Sequence, residues 1–365
     1  MIDSYKASRI ALTVHKGLSP KALEALKEMG LNSVLVESTR CVRQNIKDNS
    51  WWVFGNRSKL IESPTEVFRF RVYNSYAERA VTHLIKQLDL KTPGRGYVYA
   101  QDIDEICKRK LSDIKVDDTT EHNMKDLTLI TGIQTNSMSD KSLSKVALKL
   151  GVCVPVVGMG VGSGIRDKLG LLRITISPEK EISYLIVPSH DSVGLHNLLI
   201  DEGNLKKPGG GFLYQTPISV GIVDPLIRIG YQEHAASFEQ IIAAIDDLKQ
   251  GTQWRKRFYG VNPEENTNDG NKFTHKEITL TCPADSSDEY IHAAMSAGAA
   301  GATTIHMRKV YLNKEETDSA INMESVIMCV KTENEKRILK EISAIAEAKD
   351  ERDLFIQSIP AFSFC

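Results

Sequence analysis

Cysteine is sparse in this 365-residue chain. The six, Cys41, Cys107, Cys153, Cys282, Cys329 and Cys365, lie far apart and form no Cys-x-x-Cys pair. That spacing argues against a zinc ribbon, a thioredoxin-type redox site and a disulfide-dense scaffold. Reduced thiols in a cytoplasm are the expected state. An excess of either charge is also lacking: 46 Lys and Arg stand against 47 Asp and Glu, a net charge of -1. Without a basic field, neither nucleic acid nor an anionic membrane is an expected partner. No run of about 18 apolar residues occurs, so no membrane insertion is expected. Met1 to Gly17 shows no long apolar core before a small-residue cleavage site, and no secretory signal is read there. The nine histidines form no His-x-His or His-Glu-x-x-His pattern. No Ser/His/Asp or Cys/His set can be assembled by spacing, so neither a metal site nor an enzyme is expected.

What is present is an ordinary globular composition, 41% apolar and 25% charged, with length for two or three domains. The chain also repeats itself. Lys91-Thr-Pro-Gly-Arg-Gly-Tyr-Val-Tyr99 returns as Lys206-Lys-Pro-Gly-Gly-Gly-Phe-Leu-Tyr214. The same offset carries Glu66–Val72 onto Glu181–Val187 and Leu12–Val14 onto Leu127–Leu129. A weaker copy places Glu324–Val330 on residues 181–187 and Phe355–Pro360 on residues 212–217.

Each copy reads as strand, helix, strand, strand, helix, strand. The opening strands are 8–15, 126–133 and 276–282, and amphipathic helices follow at 19–29, 139–150 and 286–298. Ser19, Ser139 and Ser286 are their cap candidates. Second strands begin after Gly30, Gly151 and Gly301. Third strands are 66–73, 181–188 and 324–331, second helices about 75–89, 191–203 and 334–348, and fourth strands 97–102, 212–218 and 354–359. This order predicts an α+β fold of three ferredoxin-like (βαββαβ) repeats arranged as a pseudo-trimer. The division is 1–106, a linker at 107–124, 125–219, an insert at 220–275 with a helix-like stretch and an Asn-rich linker, and 276–365. Val326–Val330 is apolar on both faces, so its sheet is expected to be covered on both. Phe68-Arg-Phe-Arg-Val72 alternates, which fits partial exposure.

Two glycine clusters are the best candidates for chemistry. Gly158, Gly160, Gly162 and Gly164 lie in Val156-Val-Gly-Met-Gly-Val-Gly-Ser-Gly164, and Gly209, Gly210 and Gly211 precede Phe212. Glycines let backbone N–H groups approach anions, and successive ones form a nest. Lys206 and Lys207 would supply countercharge. Gly94, Arg95 and Gly96 form a second such loop. The plain alternatives are a strand end and a tight turn. Trp51-Trp52 reads as packing over a neighbouring unit or as a partner anchor. Trp254–Tyr259 mixes aromatics and bases, but with a net charge of -1 nucleic-acid binding is only its minority reading.

On these residues the chain resembles the PII nitrogen-regulatory signal proteins, trimers of ferredoxin-like subunits. Gly158-Met159-Gly160 with Gly164 is similar to that family's Gly-aromatic-Gly segment before a mobile loop. Gly209 and Gly211 match its Gly-x-Gly turn, as Gly94 and Gly96 do in the first copy. Lys108, Lys110 and Arg228 stand where family members place phosphate-reaching bases. The resemblance implies a signal-transduction protein in which ATP, ADP or AMP acts as effector, bound between repeats, with residues 161–180 offered to a regulated protein partner. The third copy has Arg352-Asp-Leu354 in place of the glycines and reads as degenerate. The expectation is a cytoplasmic, monomeric pseudo-trimer that binds a small anionic effector. The alternative from another class is a ligand-free assembly module of fused units.

Overall fold

The computed structural model describes residues 3–45, 59–107, 111, 113–120, 123–135, 142–150, 153–164, 178–207, 210–224, 273–313, 320–349 and 353–364. Trp51, Trp52, Trp254–Tyr259, Ser139 and most of the 220–275 insert lie outside them.

The first segment contains β1 (Asp3–His15), α1 (Ser19–Glu28), β2 (Ser33–Asn45), β3 (Lys59–Val72), α2 (Ala77–Leu88) and β4 (Gly96–Cys107). The second contains β5 (Leu127–Thr135), α3 (Leu143–Leu150), β6 (Val156–Gly164), β7 (Glu179–Pro188), α4 (Ser189–Glu202) and β8 (Phe212–Ile218), followed by the short β9 (Val220–Ile222). The third contains β10 (His275–Pro283), α5 (Ser287–Ser296), β11 (Gly301–Tyr311), β12 (Ile321–Lys331), α6 (Thr332–Lys349) and β13 (Phe355–Phe364).

The expected fold class is corrected by how these strands pair. They do not make three self-contained ferredoxin-like sheets. All 13 belong to one antiparallel sheet, ordered β11-β12-β10-β13-β8-β5-β7-β6-β2-β3-β1-β4-β9. Further pairings β11–β6, β11–β2 and β13–β4 curl it back on itself. The result is a ten-stranded closed antiparallel barrel with extra strands attached. A separate sheet would leave two rows of unpaired N–H and C=O groups, and closure removes them. The ferredoxin-like pseudo-trimer of the PII proteins does not fit this barrel. The nitrogen-regulation, signalling and nucleotide-binding roles drawn from that architecture lose their support.

Closure uses residues the sequence singled out for other reasons. Arg308 of β11 pairs in register with Val36 of β2, Arg40 of β2 with Val157 of β6, and Val161 of β6 with Thr304 of β11. At the first two crossings the arginine reaches a buried glutamate of another segment: Arg308 to Glu66 and Arg40 to Glu181, each at 2.9 Å. Valine occupies the third position. There Glu324 instead accepts the Ser287 N–H at 3.3 Å and so caps α5. Ser286 sits at the cap position, but its side chain makes no cap bond, and Ser19 lies inside α1.

Strand alternation sorts the core into an outer and an inner layer. On β3, Phe68, Phe70 and Val72 join Leu84 and Leu88 of α2, while Val67 faces inward. On β12, Val326, Met328 and Val330 pack with Ile338 and Ile342 of α6, and Ile327 faces inward. Ile130, Leu185 and Leu213 do the same beneath α3 and α4. Each helix pair thus closes an outer core, and the inner faces of all three segments share one. The neighbours of Phe70 are Arg69 and Arg71, 24% and 25% exposed, so the alternation marks the expected partial exposure, here on the face that turns toward the cavity.

His196 of α4 is fully buried, its ring centroid 6.1 Å from that of Phe362. Burial lowers its pKa to about 4. Between the ordinary value near 6.5 and that folded value, the unfolded chain binds a proton that the fold does not, so stability falls as pH drops through this window. A His196→Leu variant is expected to flatten this segment of a denaturation-versus-pH curve, by up to about 3 kcal/mol across it. An unchanged slope would show that His196 titrates alike in the folded and unfolded chain.

Candidate functional site

A cavity of about 250 Å³ lies inside the barrel. β1, β3 and β4 contribute Arg9, Arg69, Arg71, Tyr99 and Gln101. β5, β7 and β8 contribute Thr131, Tyr184 and Tyr214. β10 and β13 contribute Glu277, Thr279 and Gln357. All three segments therefore wall one space. The space is polar and roomy enough for several waters, or for a small ligand.

Its charges come in pairs. Arg69 grips Glu37 with Nη2 at 2.6 Å and Nε at 3.2 Å, and Tyr184 donates to the same carboxylate at 3.1 Å. Arg71 Nη1 lies 2.6 Å from Glu105, which also accepts from Tyr5 at 2.7 Å and Gln357 at 3.1 Å. Arg9 Nη1 lies 2.6 Å from Glu277, and its Nε donates to Gln101 at 3.0 Å. Among Lys309, Asp353 and Phe355, which also line the space, Lys309 and Asp353 pair at 2.9 Å. The three glutamate side chains are 4% exposed or less, so each must be compensated. The Arg71 guanidinium stacks 3.9 Å from the Phe355 ring centroid, and Arg69 lies 5.2 Å from that of Tyr184.

These neighbours set the ionisation of the wall. Burial pushes the Glu277 carboxyl up, but the Arg9 ion pair, with Tyr214 and Thr279, outweighs it and holds the group below its usual range. Burial pulls the Arg69 guanidinium down, and Glu37 beside it more than restores it. Burial, reinforced by Glu277, raises the Tyr214 phenol well above its usual value. Tyr214 is fully buried, with its phenol beside the Glu277 carboxylate.

The sequence-derived site residues lie elsewhere. Gly158, Met159, Gly160 and Gly164 sit on β6, between β7 and β11. A Cβ at Gly158 would strike the Glu37 carboxylate. One at Gly160 would meet the Thr304 carbonyl at 2.9 Å and Thr303 at 3.0 Å. These glycines make room for a buried acid and for strand closure. Gly210 and Gly211 lie in the turn before β8, against Asn204 and Ile133, so the two glycine groups have separate surroundings. Lys206 pairs with Asp201 at 2.5 Å on the surface, and Lys207 is exposed. In the first loop, the Gly94 N–H donates to the buried Asp224 carboxylate at 2.7 Å, which takes the place of an external anion. Arg43 joins it at 3.5 Å. Arg95 donates to the Leu88 carbonyl at the end of α2 at 2.7 Å. Gly96, at φ 131°, packs against the Thr13 carbonyl. Lys108, Lys110, Gly209, Arg228 and residues 165–177 lie outside the described residues.

The cavity residues escaped sequence reasoning, although Phe68-Arg-Phe-Arg-Val72 signalled them. Alternating arginines on a strand of an otherwise apolar hairpin mark either solvent or a polar interior, and only closure distinguishes the two.

No family model matches the chain, and no curated protein matches it. Among solved structures, aspartate kinase from Synechocystis aligns over 99% of this chain and 44% of its own length, at 10% identity and a TM-score of 0.23. The chain thus spans less than half of that protein, and a likeness so slight carries no argument about fold or activity.

Replacing Arg69 with Met strands the Glu37 carboxylate inside the barrel. Chemical denaturation is expected to show a loss of about 3–5 kcal/mol. The double variant Arg69→Met/Glu37→Gln is expected to recover most of that loss. Equal losses in the two variants would refute the pairing.

Proposed function

We propose that the protein is a non-catalytic binding protein that holds a small effector with an anionic group inside the barrel. The observation that carries this reading is the convergence of Arg9, Arg69 and Arg71 on one cavity that also contains the Tyr214 phenol. Arg69 engages its glutamate through two of its three nitrogens, and Arg71 through one. The remaining N–H groups of Arg71 can donate to a carboxylate or phosphate oxygen. The acids are committed to arginines, and Glu277 is held ionised, which suits recognition better than proton transfer. Among the described residues no helix is long and apolar enough to cross a membrane.

A second reading is favoured by the same pairs. Arg9–Glu277 joins the first and third segments, and Tyr184–Glu37 joins the second and first. Such cross-links would also serve a ligand-free assembly module.

Calorimetry separates the two. ATP, ADP, AMP and short mono- and dicarboxylates are titrated into folded protein and into the neutralised double variant Arg71→Gln/Glu105→Gln. Saturable binding of at least one compound at one site per chain, weakened about tenfold or more in the variant, is the expected result. Absence of saturable heat with every compound on folded wild-type protein would leave the assembly reading.

A further inference from the structure

We propose that the effector is a small α-amino acid with an aliphatic side chain, bound as its zwitterion. This rests on the cavity being the binding site and adds the ligand class.

Three observations on the cavity wall converge. First, its charges already balance. Arg9, Arg69, Arg71 and Lys309 are matched by Glu277, Glu37, Glu105 and Asp353. A net anion here would find no unmatched cation, whereas a zwitterion brings its own balance. Second, the spare hydrogen-bonding capacity is of both kinds. On β3, Arg71 keeps Nε and Nη2, donors suited to a carboxylate, with Arg69 beside it. On the strands facing them, the Glu277 carboxylate is engaged by Arg9 and Thr279 through Oε1, and the Tyr214 phenol stands beside it. The carboxylate and phenol oxygens keep lone pairs that an ammonium group meets as a donor. Third, the rest of the lining is apolar. Leu129, Ile305, Met307, Met323 and Ile327 border the same space and suit a branched or thioether side chain, not a second charge.

The ligand is thereby placed with its carboxylate at Arg69 and Arg71, its ammonium at Glu277 and Tyr214, and its side chain against β11 and β12. No bond is made or broken. The energy of the site comes from completing polar groups already fixed by their partners.

Calorimetry at pH 7 tests the assignment with L-leucine, 4-methylpentanoate, which lacks the amino group, and isopentylamine, which lacks the carboxylate. L-Leucine is expected to bind about tenfold or more tightly than either analogue. Glu277→Gln should weaken L-leucine about tenfold and should not weaken 4-methylpentanoate, since it leaves Arg9 uncompensated. Tyr214→Phe removes the hydroxyl beside Glu277 but no charge, and serves if Glu277→Gln does not fold. It should weaken L-leucine several-fold. If 4-methylpentanoate binds as tightly as L-leucine, or if both variants leave L-leucine affinity unchanged, the zwitterion assignment falls while the anion-binding reading stands. If L-leucine, the carboxylates and the nucleotides all give no saturable heat, both fall together.

Discussion

The structure depends on keeping three buried glutamates paired inside a closed barrel. Glu37, Glu105 and Glu277 are removed from water almost completely, and each is met by an arginine at 2.6 Å. A carboxylate in such a place is tolerated only with a near partner and further hydrogen bonds. The partners must therefore arrive in register. Arg9 and Arg71 face each other across β1 and β3, and Tyr184 must approach from another segment to complete Glu37. A one-residue slip of β3 would turn Arg69 and Arg71 into the helix-covered core and Phe68 and Phe70 into the cavity. The ion pairs thus fix register and strand neighbours together, whatever their net contribution to stability.

Closure of the sheet serves the same end. The glycines of β6 admit the Glu37 carboxylate and the β11 backbone at distances that a side chain would forbid. Two of the three strand crossings add an arginine–glutamate contact, Arg308–Glu66 and Arg40–Glu181. The third has Val161 in that register position, and Glu324 turns to the first turn of α5. The segments are therefore related but not interchangeable. The cations of the cavity come from β1, β3 and β11, and the buried Tyr214 phenol comes from β8. That inequality gives the interior distinct donor and acceptor sides, as recognition of one oriented ligand requires.

The loop at Gly94 shows how an anion cradle can be present yet filled from within. Its N–H and the Arg43 guanidinium are disposed to hold a negative group, and Asp224 supplies one. Burial pushes the Asp224 carboxyl up, while the Gly94 N–H and Arg43 draw it down, a tension that an exposed aspartate would not carry. The basic residues of the equivalent turn before β8, Lys206 and Lys207, point to solvent instead.

Much of the local structure was legible in the chain because it follows from nearest-neighbour chemistry. Alternation and helical periodicity located strands such as 181–188, observed as Glu179–Pro188, and helices such as 75–89, observed as Ala77–Leu88. Val326–Val330 declared by its apolar composition that both its faces are covered. The repeated glutamates Glu66, Glu181 and Glu324 marked equivalent strand positions, but nothing in their spacing disclosed their partners. The glycines of β6 announced close approach without saying whether a ligand or a strand approaches. Only the tertiary structure decided that edges from different segments join, that Arg69 and Arg71 line a shared cavity, and that Asp224 fills the Gly94 loop. The physical reason is that period and propensity are properties of consecutive residues. Which side of a sheet becomes the inside, and which charge meets which, is settled by hydrogen bonds and ion pairs between residues as far apart in the chain as Arg9 and Glu277.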